Sequence, residues 1–400
     1  MQKNPHRIRL EANRELHARP FPILSATCRL VHLCIRVSPT SRDEVRAWLR
    51  EKIKDFPDDF QGHWERSGVD SWVRVERHTE FVAITQVVPE GLQFTEVADS
   101  QWIDRSPQDV LVLARVSSSV VGQMPADVEA VSTLRGGEVV AGSNFTEDNT
   151  GFTSWTVAFK KDPGDEAAGR LLQMILEIET YRTLAVMGMD RIRAVHPVLQ
   201  RVANHLPKEM TETLDHDAMM KTLASLSAQE SELHAVWEKL AWRVGANQAY
   251  HELVFQRLDQ LNAHGLDGYV GIRHFLKRRL TPAVSTAETV LRRRSELAEQ
   301  IDERAQLLRT QLQLNLQSQT RDLLANLDKS AERQIRLQSA VEGLSTVAIT
   351  YYAVGLISPT LEPFVEPAFK DWVKAGLAPV VIGVVWWTLS RIRNRVSHNI

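Results

Sequence analysis

Glu342 is the one acid in the apolar run "SAVEGLSTVAITYYAVGLISPT", residues 339–360. On a helical wheel Ser339, Glu342, Thr346, Ile349, Thr350, Ala353 and Leu356 fall within about 120° of one another. Leu344, Val347, Ala348, Tyr351, Val354 and Gly355 take the opposite side. A carboxylate followed by hydroxyls on one helical face can attract and hand on a cation, and ionisable groups in spanning helices usually face a bundle interior or water. The competing reading puts Glu342 at headgroup depth, with Ser345 and Thr346 bonded to their own helix.

Three other groupings have the residue types for chemistry. In "ELHARP", Glu15, His17 and Arg19 alternate, so an extended backbone points all three the same way. Histidine with carboxylate can hold a transition metal, but no third ligand at a characteristic spacing is near, which favours a structural latch. "VERHTEF" alternates Glu76, His78 and Glu80, expected as the solvated face of a half-buried strand. Cys28 and Cys34 share a strand face about 20 Å apart, too far for a disulfide, and read as buried free thiols of a reducing compartment. P-loop, Rossmann, nucleophile-elbow and zinc spacings are missing. The expectation is a chain that is not an enzyme and needs no cofactor.

These residues must be positioned by several kinds of element. The 400 residues carry 48 basic and 50 acidic side chains, a balance that argues against a nucleic-acid partner. The first twenty residues lack the apolar core of a secretory signal. Between 26 and about 162, "CRLVHLCIRVS", "SWVRVERHTEFVAITQVV", "DVLVLARVSS", "GEVVAGSNF" and "FTSWTVAFK" read as strands. "SRDEVRAWLREKIKDF" reads as an amphipathic helix opened near Ser41. From Asp165 the spacing turns helical, with interruptions near Gly188 and Pro197, then again over 219–263 and 269–280. The two long helical stretches are expected to pack as an antiparallel hairpin.

Thr281 and Pro282 suggest a helix start. The stretch from there to Pro359 has only Gly343 and Gly355 as glycines, and a continuous helix over it would run about 110 Å. Its seam is Ile301, Ala305, Leu308, Leu312, Leu316, Gln319, Leu323, Leu327, Ser330 and Gln334. Steps of four, three and four give an eleven-residue period, suited to a nearly straight bundle. The seam grows more polar toward the apolar run.

That run, and a second from about Val373 to Leu389, are each near the shortest length that spans hydrocarbon. Lys329, Arg333 and Arg336 precede the first, Arg391, Arg393 and Arg395 follow the second, and Trp386 and Trp387 stand at interfacial depth. The expectation is an inner-membrane hairpin with both termini cytoplasmic and membrane lipid around it.

The order of parts resembles the CorA-type magnesium channels: an α+β cytoplasmic domain (1–162), a helical hairpin (163–280), a long stalk (281–338), a first span (339–358), an outer loop (359–372), a second span (373–390) and a basic tail (391–400). That resemblance implies a homo-oligomer, five copies, with the first span lining a pore for a divalent metal cation. Where the family ends that span in Gly-Met-Asn, this chain has Gly355, Leu356 and Ile357; with Glu362 and Glu366 they are the outer-mouth candidates. Ile357 cannot orient hydrating water, so selectivity of the family's kind is in doubt. A membrane-anchored scaffold without transport is the alternative. "ELHARPFP", "VERHTEFVAIT", "MILEIETYRTLAVMG" and "HFLKRRLTPA" also resemble a bacterial family of uncharacterised membrane-anchored proteins, a domain of unknown function. Some members carry an egg-lysin label, and no residue pattern here supports a lysin.

Overall fold

A computed structural model describes Arg9 and residues 20–60, 62–68, 72–94, 106, 108–122, 124, 128–207, 215–361 and 370–396. The chain forms two units, 1–213 with 221–305, and 214–220 with 306–400. Among the described residues the first unit holds a nine-stranded sheet in the order β2-β3-β4-β1-β5-β8-β7-β6-β9. The strands are β1 (Cys28–Arg36), β2 (His63–Arg66), β3 (Val73–Arg77), β4 (Phe81–Val87), β5 (Val110–Val120), β6 (Ala130–Leu134), β7 (Val139–Glu147), β8 (Thr153–Phe159) and β9 (His264–Gly265). β5 and β8 run parallel; the other neighbours are antiparallel.

Around β3, β4 and β1 both faces of this sheet are covered. Helix α1 (Arg42–Lys52) brings Val45, Trp48 and Leu49 onto Leu33, Ile35, Val75 and Ile84. On the other face α2 (Asp165–Val186) packs Leu171, Leu172 and Ile175 against Leu30, Cys34, Ala83 and Val116. β1 lies between the two layers, so its successive residues are buried on both sides, and "LVHLCI" reads as a nearly continuous apolar run. Ser41 precedes α1, but its hydroxyl accepts the Ser38 N–H at 2.9 Å instead of capping the helix. Gly169 lets α2 approach the N-terminal segment: a Cβ there would lie 1.9 Å from the Pro22 carbonyl oxygen.

α2 ends at Val186; Gly188, with a left-handed φ of 75°, precedes the short helix α3 (Met189–Arg193), and α4 (His196–His205) follows. α5 (His216–Gln260) returns antiparallel to α2 as expected: Arg257 pairs with Glu177, Tyr250 stacks on Tyr181 at 5.7 Å, and Asn247 Nδ2 donates to the Met187 carbonyl at 3.1 Å.

α6 (Ile272–Leu361) corrects the expected boundary at Thr281, because Thr281 and Pro282 lie inside the helix. The reason is tertiary. Ile272, Phe275, Leu276 and Leu280 join the main core, and the buried Ser132 Oγ of β6 accepts the Ile272 N–H at 2.9 Å. That burial offsets the roughly 3 kcal/mol that proline costs inside a helix.

The second unit contains most of α6 and a shorter helix α7 (Lys370–Val396), with Pro379 inside it. Among the described residues one helix is long and apolar enough to cross a membrane, its best window reaching a mean hydropathy of 1.4 with none of it buried. The apolar stretch Ala375–Thr388 is shorter. The coarse architecture is therefore an α+β sheet domain, a long helix and a short one.

Candidate functional site

Two places have the geometry to be sites, one in each unit. In the second, Ser339, Glu342, Thr346, Ile349, Thr350, Ala353, Gly355, Leu356 and Ile357 all lie on the uninterrupted α6. Glu362 and Glu366 lie outside the described residues. Thr346 Oγ1 donates to the Glu342 carbonyl and Thr350 Oγ1 to the Thr346 carbonyl, both at 2.8 Å. Each hydroxyl spends its one hydrogen on its own helix, which leaves its oxygen lone pairs to face outward as acceptors. Glu342 Oε1 accepts the Gln338 Nε2–H at 3.3 Å. Leu344, Val347 and Tyr351 on the opposite side are exposed, whereas Thr346, Thr350 and Ala353 are half-buried. Within one chain, none of the described residues encloses the stripe.

The seam behind it splits. Ile301, Ala305, Leu308 and Leu312 are buried, whereas Leu316, Leu323 and Leu327 are exposed. Gln319, Ser330 and Gln334 are exposed with them.

The first unit holds a cavity of about 260 Å³ between the sheet and α2, which sequence reasoning did not find. Its sheet wall carries His32, Arg74, Glu76 and Thr85, its helix wall Gln173, Glu177 and Thr180, and Phe21 and Trp72 add aromatic surface. This overturns the solvated-face expectation for "VERHTEF". β3 ends at Arg77 and β4 begins at Phe81, so Glu76, His78 and Glu80 straddle a turn. Glu76 and His78 line the cavity, His78 stacking on Phe81 at 4.2 Å. Glu80 is buried and held by both terminal nitrogens of Arg243 from α5.

The electrostatics follow from burial and pairing. Burial would raise the Glu76 carboxyl, but His63 at 3.8 Å, Arg74 at 3.0 Å and His78 outweigh it and hold it at about 2. Burial lowers His32 to about 4, so it is neutral near pH 7. Its tautomer can be read from its partners. Thr180 Oγ1 gives its hydrogen to the Leu176 carbonyl at 2.9 Å, so His32 Nε2 donates to Thr180 at 2.9 Å and Nδ1 accepts from Thr85 at 2.9 Å. Burial pushes the Cys34 thiol up to about 12, and Cys34 and Cys28 are both free. Cys34 is buried as expected; Cys28 is only half-buried. A thiol held that high is not a nucleophile at neutral pH.

Among the described residues no group of three or more His, Cys, Asp or Glu could hold a metal ion. Glu15, His17 and Arg19 lie outside the described residues. The geometry defines a class: a two-sided α+β domain with a polar cavity, joined by a long helix to an apolar end. The chain belongs to the family described as "Protein of unknown function (DUF3422)", whose model matches residues 4–396. Comparison with curated proteins finds no match.

Proposed function

We propose that the chain is a homo-oligomeric inner-membrane protein of CorA-like build, with both termini cytoplasmic, that passes a cation along the first of two spans. The observation that supports this is a file of outward oxygen acceptors, from Glu342 through Thr346 and Thr350, on a helix otherwise suited to lipid. Copies arranged around an axis would place those oxygens and a ring of Glu342 carboxylates where a cation loses part of its water. Ile349, Ala353 and Leu356 would form a dry constriction beyond them.

A second reading, a membrane-anchored scaffold without transport, is favoured by the outer end of the span. There Gly355, Leu356 and Ile357 offer no polar side chain to a hydrated ion. Flux into liposomes separates the two readings. Glu342→Gln lowers magnesium or cobalt uptake with the oligomer unchanged, and Leu356→Ser with Ile357→Asn raises it, if the stripe conducts. Wild-type uptake equal to empty liposomes across magnesium, cobalt, zinc and potassium, unmoved by either substitution, leaves the scaffold.

A further inference from the structure

Between Leu316 and Gln338 every residue of α6 is exposed. At about 100° per residue, its charged side chains all fall on one half of the helical wheel. The other half carries Leu316, Leu323, Leu324, Leu327, Gln334 and Leu337. These leucines are between 53 % and 67 % exposed. A seam that meets one partner helix is a narrower stripe. An uncharged arc of about half the circumference is wide enough for two neighbours at once.

Charge identifies the neighbour. On the wheel Arg321, Asp328 and Glu332 border one side of the uncharged arc, and Asp322, Lys329 and Arg333 border the other. Each residue of the first border is followed in sequence by one of opposite sign on the second. Along a border, residues four apart repeat a sign: Asp328 with Glu332, and Lys329 with Arg333. Like charges at that spacing destabilise a helix standing alone. Among the described residues, the one ion pair these six side chains make within the chain is Glu332 with Arg336, at 4.0 Å. The same helix in a second copy supplies what is missing. Resting on the homo-oligomeric membrane reading above, copies whose spans share one depth lie parallel and in register. The first border of one copy then meets the second border of the next, Arg321 against Asp322, Asp328 against Lys329 and Glu332 against Arg333. Opposite rows at matching heights are self-complementary, which a foreign partner does not require. We propose that residues 316–338 are the assembly interface of this chain. They form a closed ring of more than two parallel copies, in which Asp328 and Glu332 of each copy pair with Lys329 and Arg333 of the next.

Charge reversal in the full chain in detergent tests it, with mass read by light scattering. Asp328→Lys with Glu332→Lys makes both borders basic, and Lys329→Glu with Arg333→Glu makes both acidic. Each double variant should associate at least about tenfold more weakly than wild type, with the melting of the sheet domain unmoved. The four substitutions together restore opposite signs and should restore the ring. The two double variants, co-expressed with different tags, should capture one another more strongly than either captures itself. A monomeric wild type, a double variant that assembles like wild type, a fourfold variant that stays dissociated, or double variants that prefer their own kind overturns the proposal. Liposome flux keeps the two readings apart. A ring lost and restored by charge, with no uptake above empty liposomes, removes conduction and upholds the interface. Uptake by double variants that remain ringed upholds conduction and removes the interface.

Discussion

Leu171 and Leu344 are the same residue type on helices of comparable regularity, yet one is 0 % exposed and the other 73 %. Leu171 belongs to a unit whose sheet is covered on both faces around β1 and whose buried charges include the pairs Glu80 with Arg243 and Glu179 with Arg182. Leu344 belongs to a unit whose long helix leaves Leu344, Val347, Tyr351 and Leu356 exposed. An amphipathic helix that hides one stripe is complete within its own chain; a helix that leaves large apolar side chains in water calls for lipid or other helices against them. The comparison teaches that the first unit buries its apolar residues within one chain, whereas the second leaves many of its own exposed.

The largest expected effect breaks the second half of that comparison. Leu323→Asp with Leu327→Asp, both exposed in the single chain, should dissociate the proposed oligomer, because several carboxylates would meet in one layer. Association should weaken about 100-fold or more, read by light scattering with detergent subtracted. The first unit's melting should not move. An unchanged oligomer would take the seam out of self-association.

Truncation separates the halves next. Leu171→Ala should cost about 2–5 kcal/mol in denaturant unfolding of the sheet domain. Leu344→Ala should change that same transition by less than about 0.5 kcal/mol. Similar losses from both would mean that the two units unfold together.

Protonation probes the closed half alone. His32 has a folded pKa of about 4 against an ordinary 6.5. Above pH 6.5 it is neutral in both states. As pH falls from 6.5 toward 4 the unfolded chain takes up a proton that the folded chain refuses, so stability declines by an amount approaching about 3 kcal/mol. Glu76 continues the decline between 4.5 and about 2, since its depressed pKa stabilises only while the group is ionised. His32→Gln should flatten the slope above pH 4, measured by chemical denaturation at stepped pH.

The smallest effect concerns Gly343, whose added Cβ would meet nothing within 4 Å in the chain. Gly343→Ala should raise helix stability by about 0.5–1 kcal/mol, visible as slower amide exchange around it. Faster exchange with a weaker oligomer would instead place Gly343 against a neighbouring helix.

Period and residue type alone made the principal strands, the α2–α5 hairpin and the long helix legible, because a doubly covered β1 and an uninterrupted run from 283 to 358 each leave a local signature. "HWER" of β2 and "AVSTL" of β6 carry too little alternation to stand out. The stripe of Glu342, Thr346 and Thr350 was also legible, since helical spacing is a one-dimensional property. The cavity was not. Arg74 sits two residues from Glu76 in a strand, which looks like a solvated face until α2 closes over it, and Gln173 and Arg257 come from roughly 100 and 180 residues away along the chain. The start of α6 was decided in the same way, by Ser132 and the core beneath Phe275 rather than by Thr281 and Pro282. Local patterning sets what each segment can become, whereas burial of a charge depends on which distant surface arrives to exclude its water.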